Sequence, residues 1–255
     1  MTHWARFEHD GIEHFGSLSG DAIEVHAGDL FHAPESTGRQ LRLSEVRLLP
    51  PVRPGKMVAV WNNLRASAAK HGWEEPAEPL YVLKPSTCCI GHGASIRRPA
   101  SYDGRIVFEG ELGVVIGRRC KDVSEEDAPD FIFGYTCVND VTALQLIDAV
   151  ASFAQWTRAK GFDTFGVLGP VVATGLDAAT LSVRTTLNGR ERQNFPVSDM
   201  FFGPAALVSH LSRNMTLEPG DVIACGTSLG VAPMKSGQSV EVTIDGIGTL
   251  SNTFE

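Results

Sequence analysis

Two glutamates one residue apart, Glu109 and Glu111, lie in a mostly apolar stretch that runs from Arg105 to Gly117. The β-branched and aromatic residues of this stretch predict a β-strand. Since side chains alternate between the two faces of a strand, both carboxylates would point to one side, about 6.6 Å apart. Two carboxylates at this spacing can meet on one cation, which would compensate their repulsion. The alternative interpretation is a solvated polar face on an edge strand, because glutamate is common on protein surfaces.

The composition of the 255 residues is that of an ordinary globular protein, with 43% hydrophobic and 20% charged residues. A net charge of −8 argues against nucleic acid and anionic membranes as partners. No apolar run approaches the roughly 20 residues that span a bilayer, and residues 1–8 lack the apolar core of a signal peptide. The cysteines number five and have no C-x-x-C spacing, which predicts reduced thiols in the cytoplasm and no zinc site.

Turn signals predict two regions, a small N-terminal β domain over residues 1–52 and a larger domain over residues 53–255. The prolines and the Pro54-Gly55 turn near this boundary are typical of a connection between domains. Strand patterns predominate in both regions, and helices are predicted over residues 64–71, from residue 140 to about 159, and over residues 204–212. The fold class is therefore a β-rich α+β protein.

Five short motifs, each weak by itself, follow one another in a specific order. They are Leu83-Lys-Pro-Ser86; Glu109-Gly-Glu-Leu112 with Val114-Val-Ile-Gly117; Gly134-Tyr135 with Asn139-Asp140; Lys160-Gly-Phe-Asp-Thr-Phe165 with Gly169-Pro170; and Gly220-Asp-Val-Ile223 with Gly226-Thr227. Together, over roughly residues 55 to 255, they resemble the fumarylacetoacetate hydrolase (FAH) family. The resemblance implies the family's mixed β-sandwich roll, a homodimer, and a divalent metal, Mg²⁺ or else Mn²⁺ or Ca²⁺.

The resemblance also implies a metal site and an active-site lysine. Glu109, Glu111 and Asp140 match the family's metal ligands, and three carboxylates with no histidine or cysteine nearby suit a hard cation such as Mg²⁺. Lys160 resembles the family's active-site lysine, which helps to hold developing negative charge. The alternative for Lys160 is a solvated lysine at the end of a helix, where the helix dipole favours a positive charge.

A turn at Gly226 and Thr227 resembles the family's contact with the substrate carboxylate. A hydroxyl group and backbone N–H groups at a tight turn can bind an anion, although the alternative is simply a turn that ends a strand. Leu144 and Ile147 depart from the family pattern, because its hydrolases often carry arginine and glutamine at these positions. The neighbouring Gln145 is a candidate substrate-binding residue.

His71 and Glu74 have the spacing of a histidine–glutamate pair found in the lid of the family. In such a pair the glutamate orients the histidine, and the histidine activates water. Gly72 interrupts the predicted helix between them. The alternative is a surface histidine beside solvated acidic residues.

The resemblance predicts a metal-dependent enzyme of aromatic-compound catabolism that acts on a 2-oxo acid or an enol dicarboxylate. Hydrolysis of a C–C bond in a fumarylacetoacetate- or acylpyruvate-type compound is the favoured interpretation, because it is the family's central chemistry. The alternative is a 2-hydroxyhepta-2,4-diene-1,7-dioate isomerase, a decarboxylase or a 2-oxopent-4-enoate hydratase, since all of these share a metal-held enolate. A module that binds metal or carboxylate without catalysis is the alternative from another class. The complete set of three carboxylates with Lys160 argues against such a module.

Overall fold

Strands account for most of the regular structure in the computed structural model, which describes residues 1–255. The strands are β1 (Thr2–His9), β2 (Ile12–Ser19), β3 (Ala22–Asp29), β4 (His32–Arg42), β5 (Arg47–Leu48), β6 (Met57–Trp61), β7 (Leu80–Lys84), β8 (Cys89–Ile90), β9 (Ile106–Val107), β10 (Gly110–Ile116), β11 (Ile132–Asp140), β12 (Thr142–Ala143), β13 (Gly166–Thr174), β14 (Ser182–Leu187), β15 (Arg190–Pro196), β16 (Val222–Ala224), β17 (Ser239–Ile244) and β18 (Gly248–Thr253). The α-helices are α1 (Arg65–His71), α2 (Trp156–Lys160) and α3 (Pro204–Asn214). The predicted β-rich α+β class is confirmed. None of these helices is long and apolar enough to cross a membrane.

One large mixed sheet carries the N-terminal strands together with the strands of the site. Its order is β4-β3-β2-β1-β13-β11-β10-β16-β6-β7, with β5 paired to β1 and β8 paired to β13. Strand β1 runs antiparallel to β13, with Thr2 opposite Thr174, so the N-terminal strands extend the main sheet. A division of the chain after residue 52 stays a prediction.

A second sheet, with the order β15-β14-β17-β18, packs against strands β10, β11 and β13 of the large sheet. The main hydrophobic core lies between the two sheets and includes Phe108, Leu112, Phe165, Val242 and Leu250, each no more than 1% exposed. Burying one such side chain contributes about 1.5–3 kcal/mol relative to leaving it in water. The second sheet therefore holds one face of the strands that carry the candidate site.

The stretch around the two glutamates is not one continuous strand, which corrects the sequence prediction. Strand β9 ends at Val107 and β10 begins at Gly110, so Glu109 lies in the break between them. There its backbone N–H donates to Oδ1 of Asn139 at 3.0 Å, and its carbonyl accepts from the Asp140 N–H at 2.8 Å. These two bonds replace the regular pairing and turn the Glu109 side chain towards Asp140.

The long helix predicted after residue 140 is also wrong. Thr142 and Ala143 form β12, which pairs with β9, and only residues Trp156–Lys160 are α-helical. The start of this segment forms a strand because pairing with β9 provides hydrogen-bond partners for backbone N–H and C=O groups that are fully buried there. The other two helices are confirmed. Helix α1 ends at Gly72 in the left-handed conformation, with φ of 70°, as its sequence predicts.

Candidate metal centre and active site

The metal-ligand prediction concerns Glu109, Glu111 and Asp140, and the structure brings these three residues together. One carboxylate oxygen from each lies within 4.8 Å of the others. Glu111 is on β10 and Asp140 is the last residue of β11, and the antiparallel register places Gly110 opposite Asn139. Two oxygen ligands on opposite sides of a cation are about 4.0–4.2 Å apart for Mg²⁺ and about 4.6–5.2 Å apart for Ca²⁺. The separation of the three oxygens therefore suits a divalent cation of this kind.

Glu111 is the carboxylate whose charge is least compensated within the chain. It is 1% exposed, and its one hydrogen-bond donor is the Gly226 N–H, 2.7 Å from Oε2. Burial, followed by the negative charge of Asp140, raises the pKa of Glu111 well above its ordinary value. A buried carboxylate with a single backbone donor is costly, and a divalent cation would provide the missing positive charge. The donor set of the site thus fits a divalent metal ion.

Lys160, the last residue of α2, reaches into the same cluster. Its Nζ donates to Oε2 of Glu109 at 2.8 Å, to Oδ2 of Asp140 at 2.5 Å and to Oγ1 of Thr142 at 2.8 Å. Burial acts to lower the pKa of Lys160, but the carboxylates around it outweigh burial and raise the pKa. Lys160 is therefore a firmly protonated ammonium group, which can hold negative charge but is not a base near neutral pH.

A second buried lysine, Lys84, was not assigned a role from the sequence. Its ammonium group contacts Oδ1 of Asp140 and donates to the Phe165 carbonyl at 2.9 Å. Burial acts to raise the pKa of Asp140, but Lys160 and Lys84 outweigh it and hold that pKa below its ordinary value. The signal that could have identified Lys84 is a lysine at the end of the apolar run Leu80–Lys84, inside one of the family motifs.

The turn at Gly226 and Thr227 lies beside the cluster, and Gln193 of β15 supports it. The Thr227 hydroxyl donates to the Gly110 carbonyl at 2.9 Å and accepts from Nε2 of Gln193 at 2.8 Å. Gln193 also donates to the Ser228 carbonyl at 2.9 Å. The backbone N–H groups of Thr227 and Ser228 have no acceptor within the chain. These N–H groups, rather than the engaged hydroxyl, are the free donors that could hold a carboxylate.

A cavity of about 420 Å³ opens onto the cluster and includes Glu109, Lys160 and Thr227 in its lining. Most of its walls are apolar or aromatic. The side chains that form them include Trp61, Leu144, Ile147, Trp156, Leu229 and Val231. Apolar walls exclude water, and charges interact more strongly where water is excluded.

His71 lines this cavity, but Glu74 does not, and no hydrogen bond or ion pair joins the two residues. Nδ1 of His71 lies 2.8 Å from the Ser67 carbonyl, and the ring stacks on Trp73 with a centroid distance of 4.4 Å. A carbonyl oxygen can only accept a hydrogen bond, so Nδ1 carries the proton and Nε2 of the neutral ring is the free base. The helix backbone therefore orients the histidine, a role that the sequence pattern had suggested for Glu74.

Gln145, predicted to bind substrate, lies outside the cavity lining. Its side chain is bonded to the Tyr102 hydroxyl group and accepts from the Arg105 N–H at 2.8 Å, which holds the loop around residue 104. A role for Gln145 in substrate binding stays a prediction.

The fold and the cluster of three carboxylates are those of one protein family: the chain belongs to the fumarylacetoacetate hydrolase family. Residues 56–255 match the family model described as fumarylacetoacetate (FAA) hydrolase, C-terminal. Residues 2–51 match a second model, described as Rv2993c-like, N-terminal. The resemblance found in the sequence motifs is confirmed.

Two curated relatives cover most of the chain. Protein Rv2993c of Mycobacterium tuberculosis is 46% identical over 253 residues, with 95% of this chain and 94% of the relative covered. Oxaloacetate tautomerase YisK of Bacillus subtilis is 36% identical over 252 residues, with 91% of this chain and 83% of the relative covered.

Solved structures agree with this assignment. A 2-hydroxyhepta-2,4-diene-1,7-dioate isomerase from Mycobacterium marinum superimposes with a TM-score of 0.91 at 40% identity, covering 100% of this chain and 98% of the other. A maleylpyruvate hydrolase from Sphingobium sp. SYK-6, in complex with manganese(II) and pyruvate, has a TM-score of 0.82 at 26% identity, with coverage of 99% and 98%. The relatives thus include a tautomerase, an isomerase and a hydrolase.

Proposed function

We propose that this protein is a divalent-metal-dependent enzyme that interconverts the enol and keto forms of a 2-oxo acid. The observation that carries the proposal is that one cavity contains a base, His71, and a protonated ammonium group, Lys160, beside the three carboxylates. Tautomerisation needs these groups and little else, because it moves one proton between an oxygen and a carbon atom. Relatives named as a tautomerase and an isomerase support the proposal.

Glu109, Glu111 and Asp140 would hold the metal, which would supply positive charge to polarise the 2-oxo group of the substrate. The free N–H groups of Thr227 and Ser228 would bind the neighbouring carboxylate.

Two further side chains would act on the proton and the charge. Lys160 would hold the negative charge that develops on the enol oxygen. Nε2 of His71 would take the proton from the enol oxygen and deliver it to the carbon next to the carbonyl carbon, or carry out the reverse transfer. The apolar walls would keep bulk water from competing for this proton.

Hydrolysis of a C–C bond, which the sequence analysis favoured, becomes the second candidate. The free Nε2 of His71 could activate water, and a maleylpyruvate hydrolase is among the structural relatives. A tetrahedral oxyanion, however, requires hydrogen-bond donors. Leu144 and Ile147 present apolar walls where family hydrolases often carry arginine and glutamine, and no arginine lines the cavity, so the donors are limited to Lys160 and the turn at residues 227 and 228. Decarboxylation of a substrate such as oxaloacetate would need only the groups that tautomerisation uses.

The finer predictions from the sequence stay predictions. They are Mg²⁺ as the preferred metal, a homodimer, a cytoplasmic location, a role in aromatic-compound catabolism, and the absence of nucleic-acid and membrane partners.

The proposal is tested by following oxaloacetate and acetylpyruvate by NMR with Mg²⁺, Mn²⁺, Ca²⁺ or EDTA. Metal without protein is the control, because divalent cations themselves promote enolisation. Metal-dependent tautomerisation of oxaloacetate that Glu109→Gln abolishes would support the proposal. Cleavage of acetylpyruvate with no turnover of oxaloacetate would instead establish the hydrolase, and metal binding without any turnover would establish the non-catalytic module.

A further inference from the structure

Lys70 is a cation in the cavity lining that has no partner within the chain. It lies in the last turn of α1, and its ammonium group takes part in no hydrogen bond or ion pair. Ser67, Lys70 and His71 all line the cavity. Their spacing of three and four residues places them on one face of the helix. The face that carries the histidine therefore also carries a free positive charge.

The charges of the cluster leave a second substrate carboxylate without a partner. Three carboxylates, the ammonium groups of Lys84 and Lys160, and a bound dication would sum to one positive charge. The carboxylate next to the 2-oxo group would neutralise that charge. A second carboxylate at the far end of the substrate would then enter a largely apolar cavity, where an unpaired charge is costly.

We infer that Lys70 binds this distal carboxylate and selects 2-oxo dicarboxylic acids over 2-oxo monocarboxylic acids. The inference rests on the proposed function, because it assumes that the substrate binds with its 2-oxo group at the carboxylate cluster. Apart from the engaged Lys160, Lys70 is the one lysine or arginine in the cavity lining, and the chain offers it no competing acid. A structural alternative is a solvated lysine that the negative end of the α1 dipole favours.

The test compares oxaloacetate, which has two carboxylates, with acetylpyruvate, which has one. In the wild-type protein we expect the lower KM for oxaloacetate. Lys70→Met should raise the KM for oxaloacetate about tenfold or more and leave that for acetylpyruvate within about twofold, because a single charged hydrogen bond is lost. Lys70→Arg should retain the preference. Lys121→Met changes the net charge equally at an exposed site outside the cavity, and it should leave both KM values unchanged.

Direct binding separates failure of this inference from failure of the proposed function. Calorimetry on the Mn²⁺-loaded protein with the same two compounds gives the ratio of their Kd values even if neither is turned over. If neither compound is turned over, but the wild type binds oxaloacetate more tightly and Lys70→Met loses this preference, the tautomerase is rejected and the role of Lys70 is retained. A preference for oxaloacetate that is equal in the wild type and in Lys70→Met would overturn the inference.

Discussion

The ammonium group of Lys84 lies against Oδ1 of Asp140, and neither side chain is more than 1% exposed. Lys160 contacts the other oxygen of the same carboxylate at 2.5 Å. Asp140 is therefore held between two cations, one deep in the core and one at the cavity. Lys84 fixes the orientation of a candidate metal ligand from a position that the substrate does not reach.

Replacing Lys84 by methionine should destabilise the protein, because it leaves Asp140 with one cation in place of two. Removing one partner of a buried ion pair costs about 3–5 kcal/mol. Because Lys160 still pairs with Asp140, we expect the free energy of unfolding to fall by no more than this. Urea unfolding in EDTA measures this difference in free energy. Lys70→Met is the matched control at an exposed position and should change stability by less than about 0.5 kcal/mol.

The same pair predicts a pH dependence. The pKa of Asp140 is lowered in the folded protein, so its ion pairs stabilise the fold fully at pH values above the ordinary pKa of 3.8. This contribution is lost as the pH falls through the lowered pKa. The difference in unfolding free energy between wild type and Lys84→Met should therefore shrink in acid. A difference that stays constant to the lowest pH would contradict the role of the Asp140 charge.

Glu111→Gln should raise the thermal stability of the metal-free protein and remove the stabilisation that a bound metal gives. The pKa of Glu111 is raised, so ionising it destabilises the metal-free fold progressively as the pH rises above 4.5. Glutamine removes this penalty and can still accept from the Gly226 N–H. In EDTA at pH 8 the variant should melt at a higher temperature than the wild type. Added Mn²⁺ should raise the melting temperature of the wild type and not that of the variant.

His71→Ala and Glu74→Ala should separate the two members of the predicted pair. Loss of a general base costs roughly 10²–10⁴-fold in rate, so His71→Ala should lower kcat for oxaloacetate tautomerisation by that amount. Glu74→Ala should have little effect, since Ser67 orients the ring. Steady-state kinetics on both variants, with calorimetry to show unchanged metal affinity, provides the measurement. Equal losses in the two variants would restore Glu74 to the mechanism.

Gln193→Leu should impair substrate binding more than turnover. It removes the donor to the Thr227 hydroxyl and the acceptor of the Gly110 N–H, which lies 3.0 Å from Oε1. Thr227 and Ser228 would then be held less firmly, and we expect the KM for oxaloacetate to rise about tenfold, which corresponds to a loss of about 1.4 kcal/mol of binding free energy. Thr227→Ser keeps the hydroxyl and should keep the KM. If KM rose in Thr227→Ser but not in Gln193→Leu, the methyl group of Thr227 would contact the substrate directly.

The sequence by itself determined the family, the β-rich class and most of the candidate site. Glu109, Glu111, Asp140 and Lys160 occur in short motifs, and the structure brings all four together. Helix α1 with its terminal Gly72 could also be predicted, because capping and turn preferences depend on neighbouring residues. Such features can be predicted because they depend only on residues a few positions apart in the chain.

Only the tertiary structure decided which distant residues complete the site. Lys84 reaches Asp140 from 56 positions away, and Gln193 reaches Gly110 from 83 positions away. Sheet pairing also made Thr142 and Ala143 a strand where the sequence predicted helix. The partner of His71 was decided in the same way, since the ring lies against Ser67 and not against Glu74. Burial and pairing set these outcomes, because a buried charge or backbone group must find a partner wherever the folded chain provides one.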